Sequence, residues 1–328
     1  MNEKGIVPEQ NPSITVCIHC LTYNHEPYLE DALKGFIKQK TDFRFVAVVI
    51  DDCSTDATAE VLRRYETQYP DIIKAVYLKE NYYSQSKSKQ TFFEPYDKQS
   101  KYIAICEGDD YWTDPLKLQK EVAILEKDET LMGVFTNSMI VDKQGNILED
   151  RRTKFYPGNK QGRYNLHEFF QNAPSYPTAT VMYRNVNRQE ILQKMKHTQN
   201  KYMGDWTLWA ILHSYGDFYY LDEVTSAYRI NPTSLTHTFD RIGRAKANIT
   251  ICKSLSEVLP AEYTHYLKKE GWMYFSIFMA YRKERKYMRM VCYFLWCLMR
   301  YPRFTIKKLS SHGISRWRQV SVRGKEVL

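Results

Sequence analysis

The sequence lacks an apolar run long enough to cross a membrane as a helix. Its longest uninterrupted apolar run, residues 290–299, has 10 residues, whereas a spanning helix needs roughly 20. The opening stretch MNEKGIVPEQNPS also lacks the apolar core of a signal peptide. We therefore expect a cytoplasmic protein, or one that associates peripherally with the cytoplasmic face of the inner membrane.

Closely spaced cysteines are scarce as well. The chain has 7 cysteines, and only Cys17 and Cys20 of the segment CIHC are near neighbours. This segment has the composition of a strand, in which Cys17 and Cys20 would point to opposite faces. No second cysteine pair completes a zinc site. We therefore expect free, buried thiols in a reducing compartment.

No nucleic-acid-binding motif is recognisable, although the formal net charge is +9. Residues 241–328 hold 19 basic and 5 acidic residues, whereas residues 1–240 hold 28 basic and 33 acidic residues. The excess of positive charge is therefore confined to the last part of the chain. Such a segment suits an anionic partner, namely membrane lipid, nucleic acid or an acidic glycan, and the missing motif disfavours nucleic acid.

The apolar pattern alternates between strand and helix periods in the first half of the chain. Runs typical of strands begin the segments 13–24 and 43–58 and cover 72–80 and 101–106. Helical spacing covers 27–40, a stretch from Ala57, and 114–128. This order predicts an α/β fold with a doubly wound, mainly parallel sheet. Further on we expect a hairpin around 144–146, strands at 176–184 and 218–237, and a helix over 204–216. We place the α/β domain at 1–240 and a basic helical extension at 241–328.

Polar residues follow three of the predicted strands directly: Thr22-Tyr23-Asn24, Asp51-Asp52 and Glu107-Gly108-Asp109-Asp110. The carboxyl ends of parallel strands meet at one edge of a sheet, so these clusters should converge. Three carboxylates within four positions repel one another, and a hard cation such as Mg²⁺ or Mn²⁺ would relieve this. The alternative is a solvated acidic turn that caps the following helix.

Three segments together resemble a known family. TVCIHCLTYNHEPYLEDAL, VVIDDCSTDAT and YIAICEGDDYWTDPLKLQKEV, in this order and spacing, resemble the GT-A-fold, family 2 glycosyltransferases of bacterial surface polysaccharide synthesis. The resemblance is strong over residues 13–125 and weaker to 237. It implies metal-dependent transfer of a sugar from a nucleotide-diphosphosugar to a glycan or lipid-linked acceptor.

The same resemblance implies a nucleotide site. Thr22 and Tyr23 would lie under the base, with Tyr23 stacking on it unless it packs on the helix at 27–40. Asp52 would recognise the base or ribose, and together with Tyr23 it favours a UDP-sugar. Lys89 would lie near the nucleotide, unless it belongs to a solvated lysine-rich loop.

EGDDYW matches the D-x-D-type element of the family. Glu107 stands where an aspartate is more common, and it would contact the ribose or support the loop. Asp109 and Asp110 are the candidate ligands for Mn²⁺ or Mg²⁺, and Asp109 would also lie against the nucleotide-sugar. The resemblance leaves open which of the two binds the metal directly.

The family's general base is an acid that opens a helix later in the domain. YMGDWTLWA resembles that element, and Asp205 matches the acid, although Gly204 replaces a second acid. The alternative role for Asp205 is a helix N-cap. As the base, it implies inversion at the anomeric carbon. Arg229 could meet the diphosphate, but Asn231 occupies the position where the family often has a histidine ligand.

The segment 271–304 alternates apolar and basic blocks. It suits a helical hairpin packed on the protein, a helix in the membrane interface, or both. Two other functions stay open at this stage, namely a catalytically inactive nucleotide-sugar-binding protein and a metal-dependent nucleic-acid enzyme.

Overall fold

The computed structural model describes residues 14–148, 160–172, 177–198, 204–230, 241–263, 277–279, 281–283, 285–302 and 305–306. The chain divides into two compact units. The first comprises residues 1–195 and 203–231, and the second comprises 196–202 and 232–328. The functional division at residue 240 that we predicted stays a prediction.

The first half of the sheet is parallel. Its strands are β1 (Val16–Thr22), β2 (Phe45–Asp51), β3 (Ile73–Tyr77) and β4 (Tyr102–Ile105), in the order β3-β2-β1-β4. Helix α1 (Leu29–Ile37) lies between β1 and β2 in the sequence, α2 (Thr58–Gln68) between β2 and β3, and α3 (Gln90–Asp97) between β3 and β4. β2 is buried at every position, as its continuous apolar sequence requires in a sheet covered on both faces. The predicted alternation of strands and helices is confirmed for α1 and α2, whereas α3 was not predicted.

The second half of the sheet is mixed. It contains β5 (Tyr111–Trp112), β6 (Leu131–Val141), β7 (Gly162–Tyr164), β8 (Val181–Arg184) and β9 (Asp217–Arg229). The sheet continues as β4-β8-β6-β9-β5, with β8 antiparallel to both neighbours and β7 paired to β9. The helices here are α4 (Lys117–Lys127), α5 (Leu166–Asn172), α6 (Arg188–Thr198) and α7 (Gly204–His213). The predicted turn at 144–146 is present, since the Asp142 N–H donates to the Asn146 carbonyl at 2.9 Å.

Strand β1 contributes to two apolar layers, one on each face of the sheet. Val16, Ile18 and Cys20 pack in the layer that contains α1. Cys17 packs in the layer that contains Phe93 of α3. The two cysteines of CIHC therefore point to opposite faces, as predicted. All seven cysteines are free, but the expectation that they are buried fails for Cys292, which is exposed, and for Cys53, which is half-buried.

A buried polar cluster lies on the α3 side of β1. Cys17, His19 and Asp97 have ligand-type atoms within 4.8 Å of one another, and we call them, with Arg188, the α3-side cluster. His19 Nε2 lies 2.7 Å from Asp97 Oδ1, and the Arg188 guanidinium pairs with Asp97 Oδ2. Burial lowers the pKa of His19, so the imidazole is neutral. Because Arg188 already neutralises Asp97, this cluster needs no cation.

The second unit contains two long helices in its described part. These are α8 (Arg241–Val258) and α9 (Tyr287–Arg300), with a short 3₁₀ turn at Ala261–Tyr263 between them. Met290 and Tyr293 of α9 pack against a small core of Ile242, Ile249, Ile277 and Tyr281. Within the described residues, each helix is too short or too polar to cross a bilayer.

Candidate active site

The three polar clusters predicted to converge lie at the carboxyl ends of neighbouring parallel strands. β1 is hydrogen-bonded on one side to β2 and on the other to β4. Beyond the strands, the Asp52 N–H donates to the Thr22 carbonyl at 2.9 Å, and the Gly108 N–H donates to the Leu21 carbonyl at 2.9 Å. The ladder therefore continues into the loops and fixes the three clusters beside one another.

The loops after β1 and β2 hold each other in place. Asn24, at a φ of 53°, accepts the Thr55 N–H on Oδ1 at 2.8 Å. Its own N–H donates to Ser54 Oγ at 2.9 Å, and the His25 N–H donates to Thr58 Oγ1 at 2.9 Å. Asparagine tolerates the left-handed conformation better than most residues. These bonds order the loop around Tyr23 before any ligand arrives.

Asp51 and Asp52 have different roles. Asp51 Oδ1 accepts the Ser54 N–H at 3.2 Å, so Asp51 shapes the turn after β2. Asp52 reaches the next loop instead, where its oxygens accept the N–H groups of Tyr82 and Tyr83 at 2.7 Å and 3.1 Å. Lys89 Nζ lies 2.9 Å from Asp52 Oδ2, and both side chains are largely buried. Lys89 is therefore bound to Asp52, which disfavours the solvated-loop alternative.

Tyr23 lies at the same edge with its ring available. It is 44 % exposed, so one face can stack on a base. Each carboxylate oxygen of nearby Asp52 has two lone pairs, so Asp52 can accept a further hydrogen bond from a base or ribose while it keeps its present donors.

The acidic loop after β4 is not a helix cap. Asp110 is buried and accepts the Arg229 N–H on Oδ1 at 2.8 Å, and Asp109 is half-buried. The start of α4 is capped by a different acid, since Asp114 Oδ1 accepts the Leu116 N–H at 2.8 Å. The capping alternative for Asp109 and Asp110 is therefore disfavoured.

The surroundings of the acids in this loop disfavour their negative charge. Burial, followed by repulsion from Asp109, raises the pKa of Asp110 well above its usual range, although the Arg229 N–H works in the opposite direction. Desolvation, followed by repulsion from Asp109 and Asp205, raises the pKa of Glu107 to about 8, even though its side chain contacts solvent. A divalent cation bound to these oxygens would remove this penalty.

Asp205 belongs to the same site, although it is distant in the sequence. Its charge is close enough to contribute to the raised pKa of Glu107. It is the second residue of α7, and its Oδ1 accepts the Trp206 N–H at 2.8 Å. Desolvation raises the pKa of Asp205 and the Trp206 N–H opposes the shift. Both suggested roles, base and cap, are compatible with this position.

The structure gives Arg229 other partners than the predicted diphosphate. It is buried, and its guanidinium donates to the Asp109 carbonyl, the Lys143 carbonyl and Asp31 Oδ2, each at 2.9 Å. The predicted contact with a diphosphate would require it to leave these partners, so the structure disfavours that contact. Arg229 instead anchors the backbone of the acidic loop to the end of β9. Asn231 lies outside the described residues.

Sequence reasoning missed His25 and the close packing of Thr22 and His25 against Gly108. A Cβ on Gly108 would lie 2.7 Å from Thr22 Oγ1 and 3.0 Å from His25 Nδ1, so only glycine fits. Both polar atoms are buried without a hydrogen-bond partner in the described part of the chain, and His25 Nε2 lies 3.9 Å from Asp109 Oδ2. Buried polar atoms are rarely left unpaired. In the sequence, the histidine directly after Asn24 was the feature that could have indicated a further polar group at this site.

These side chains form a donor set suited to a charged, hydroxyl-rich ligand. Asp109 and Asp110 offer the hard oxygens that Mg²⁺ and Mn²⁺ prefer. Thr22 and His25 offer unpaired polar atoms next to them. Tyr23, exposed at the same edge, offers an aromatic face. Stacking, hydrogen bonding and cation binding can therefore act on one ligand.

Comparison with known proteins finds a matching family model and several relatives. The model of the family described as glycosyl transferase family 2 matches residues 17–191. The uncharacterized protein Rv1520 of Mycobacterium tuberculosis is 38 % identical over 125 residues, which cover 38 % of this chain and 35 % of that protein. The putative teichuronic acid biosynthesis glycosyltransferase TuaG of Bacillus subtilis is 27 % identical over 128 residues, 39 % of this chain and 48 % of TuaG. The matched region thus spans about a third to a half of these relatives.

Solved structures confirm the GT-A-type fold. TarS of S. aureus in complex with UDP-GlcNAc has a TM-score of 0.54 at 18 % identity, over 80 % of this chain and 73 % of that one. The mannosyltransferase PcManGT of Pyrobaculum calidifontis, in complex with GDP-Man and Mn²⁺, has a TM-score of 0.54 at 15 % identity, over 93 % of this chain and 81 % of that one.

Proposed function

Since the chain belongs to glycosyl transferase family 2, we propose that it transfers a sugar from a nucleotide-diphosphosugar to a glycan or lipid-linked acceptor of surface polysaccharide synthesis. The observation that carries this proposal is the position of Asp205. A carboxylate from α7 lies within electrostatic reach of Glu107 in the acidic loop after β4. In this proposal, Asp205 is the base for the acceptor and the acids of this loop bind the donor.

In this proposal the nucleotide lies against the loops after β1 and β2. Tyr23 stacks on the base, and Asp52, supported by Lys89, accepts a hydrogen bond from the base or the ribose. The buried hydroxyl of Thr22, which has no partner within the described residues, lies beneath them. A pyrimidine between an aromatic face and a carboxylate favours UDP. The complexes of TarS with UDP-GlcNAc and PcManGT with GDP-Man show that the fold accommodates both kinds of donor.

Asp109 and Asp110 would hold Mn²⁺ or Mg²⁺, and Glu107 would contact the ribose or support the loop. The bound cation would stabilise negative charge on the leaving diphosphate. The Mn²⁺ complex of PcManGT supports this assignment. Asp110 is fixed by the Arg229 N–H and Asp109 is the less buried of the two. We therefore assign direct contact with the donor to Asp109.

Asp205 takes the proton of the acceptor hydroxyl as that oxygen bonds to the anomeric carbon and the bond from this carbon to the diphosphate oxygen breaks. Attack opposite the leaving group inverts the anomeric centre. Asp205 is exposed at the start of α7, so an acceptor hydroxyl can reach its carboxylate, as a general base requires. Its hydrogen bond from the Trp206 N–H orients the carboxylate.

We also propose a cytoplasmic location with peripheral attachment at the inner membrane, where a lipid-linked acceptor would be found. The concentration of basic residues in 241–328 supports attachment. Family membership favours this function over a nucleic-acid enzyme, and the acids required for catalysis are all present, which argues against an inactive binding protein.

Nucleotide preference tests the donor assignment. Calorimetry with UDP, GDP and ADP, each with Mn²⁺, should give the tightest binding for UDP, because in this proposal a pyrimidine base lies between the Tyr23 ring and the Asp52 carboxylate. Asp52→Asn should reduce that preference, whereas Asp42→Asn, a surface change elsewhere, should not. Equal affinity for the three diphosphates would remove the base-reading role from Asp52 and Tyr23.

A further inference from the structure

Helix α9 presents apolar side chains that are exposed within the described part of the second unit. Met288, Leu295 and Met299 are 84 %, 50 % and 77 % exposed, and Val291 and Cys292 are exposed as well. A single exposed apolar residue is ordinary, but a contiguous exposed patch marks an interaction surface.

These residues form one stripe. At about 100° per residue, Met288, Cys292, Leu295 and Met299 fall within about 60° of one another around the helix axis. Val291 borders the stripe on one side. The exposed apolar side chains are therefore aligned along the whole length of the helix.

The opposite face of α9 is already used. Met290 and Tyr293 pack against the core of the second unit, Phe294 lies 5.4 Å from Phe278 between ring centroids, and Cys297 is buried. α9 is thus held by one apolar face and exposes a second one. Its own packing accounts for the inner face and leaves the outer face unexplained.

The charges around the stripe select the partner. Residues 282–300 contain six basic residues and a single acid, Glu284. Arg282, Lys283, Arg285 and Lys286 precede the helix and are exposed, and Arg300 ends it. Arg289 and Arg300 fall on one flank, roughly 100° from the centre of the stripe. An apolar stripe bounded by cations matches the acyl and headgroup layers of an anionic bilayer.

The length of α9 is too short for the helix to span a bilayer. With 14 residues it is about 21 Å long, which is shorter than the roughly 30 Å hydrocarbon layer. We propose that α9 lies in the plane of an anionic membrane, with Met288, Val291, Cys292, Leu295 and Met299 inserted among the lipids and the flanking arginines and lysines at the headgroups. The biological meaning of this membrane contact rests on the proposed function. The proposal adds to that function the surface that contacts the membrane.

The test uses the full chain and co-sedimentation with liposomes of phosphatidylcholine, with or without phosphatidylglycerol. The double variant Met288→Gln/Met299→Gln changes the two most exposed positions of the stripe, so the core stays intact. We expect it to weaken binding to anionic liposomes about tenfold or more, because the inserted groups become polar. Ile147→Gln/Val186→Gln, which changes two exposed apolar residues of the first unit, is the matched control and should bind as the parent does.

A second arm separates charge from insertion. Arg289→Gln/Arg300→Gln should weaken binding to anionic liposomes by about fivefold per charge removed and leave the weaker binding to neutral liposomes unchanged. Added salt should act in the same direction. Thermal unfolding of each variant verifies that the fold is retained, and the assay does not depend on sugar transfer.

Parent-like binding by Met288→Gln/Met299→Gln would overturn the proposal. It would also be overturned if the parent failed to bind liposomes and formed dimers that the variant could not form, since the stripe would then be an interface between two copies. Failure of sugar transfer with normal liposome binding would contradict only the proposed activity.

Discussion

Strand β1 lies between two polar clusters that differ in how their charges are balanced. On one side, Asp97 of the α3-side cluster is bonded to His19 and paired with Arg188. Beyond the carboxyl end of β1, Asp109 and Asp110 are adjacent carboxylates, and the pKa of Asp110 is raised well above its usual range. A buried network in which each charge is paired stabilises a fold. Buried acids without a paired cation suit a bound ligand instead. The comparison separates a structural cluster from a functional one without reference to any relative.

The largest expected effect is on turnover. Asp205→Asn should lower kcat by about 10²- to 10⁴-fold, because the acceptor hydroxyl loses its base. The amide oxygen can still accept the Trp206 N–H, so stability and donor binding should be unchanged. The measurement is steady-state kinetics with calorimetry of UDP. Turnover close to that of the parent would show that Asp205 only caps α7.

The reverse pattern is expected in the α3-side cluster. Asp97→Asn leaves Arg188 without its counter-charge, and breaking such a buried pair costs about 3–5 kcal/mol. Urea unfolding should show this loss, while the folded fraction keeps the donor affinity of the parent. Asp109→Asn is the matched carboxylate change and should not destabilise the fold. If Asp97→Asn selectively removed donor binding, the division between the two clusters would be wrong.

The smallest expected effect concerns the unpaired hydroxyl of Thr22. Thr22→Val keeps the side-chain shape but removes an atom that has no partner in the described part of the structure. The free energy of unfolding should rise by about 1 kcal/mol, because a buried hydroxyl without a partner is removed. Affinity for UDP should fall by about five- to tenfold, as for a lost hydrogen bond. Unchanged affinity, measured by calorimetry, would show that the hydroxyl does not contact the nucleotide.

Much of the fold follows from local pattern. The parallel strands β1 to β4 and the helices α1, α2 and α4 are apolar runs and periodic segments ended by polar turns, and these were predicted in the right order. Helix α3 was not predicted. The register of β6 against β9, with its irregularities, was not predictable. Such pairing depends on contacts between residues far apart in the sequence, which a local pattern does not encode.

The site shows the same limit. That the polar residues after β1, β2 and β4 should meet follows from sheet topology, and the structure brings them together. The partners of Arg229 could not be foreseen, because its side chain bonds Asp31, the Asp109 carbonyl and the Lys143 carbonyl, which come from three separate parts of the chain. The polar atoms of Thr22 and His25 that lie against Gly108 were equally hidden, since burial without a partner is visible only in three dimensions.

The central claim is that the acidic loop is left open because a cation and a nucleotide bind there together. Calorimetric titration of UDP with Mn²⁺ or with EDTA, on the parent, Asp109→Asn and Asp110→Asn, tests it most directly. We predict that the parent binds UDP tightly only with Mn²⁺ and that either variant loses this dependence. Equal UDP affinity in Mn²⁺ and EDTA, unaffected by both substitutions, would contradict the claim.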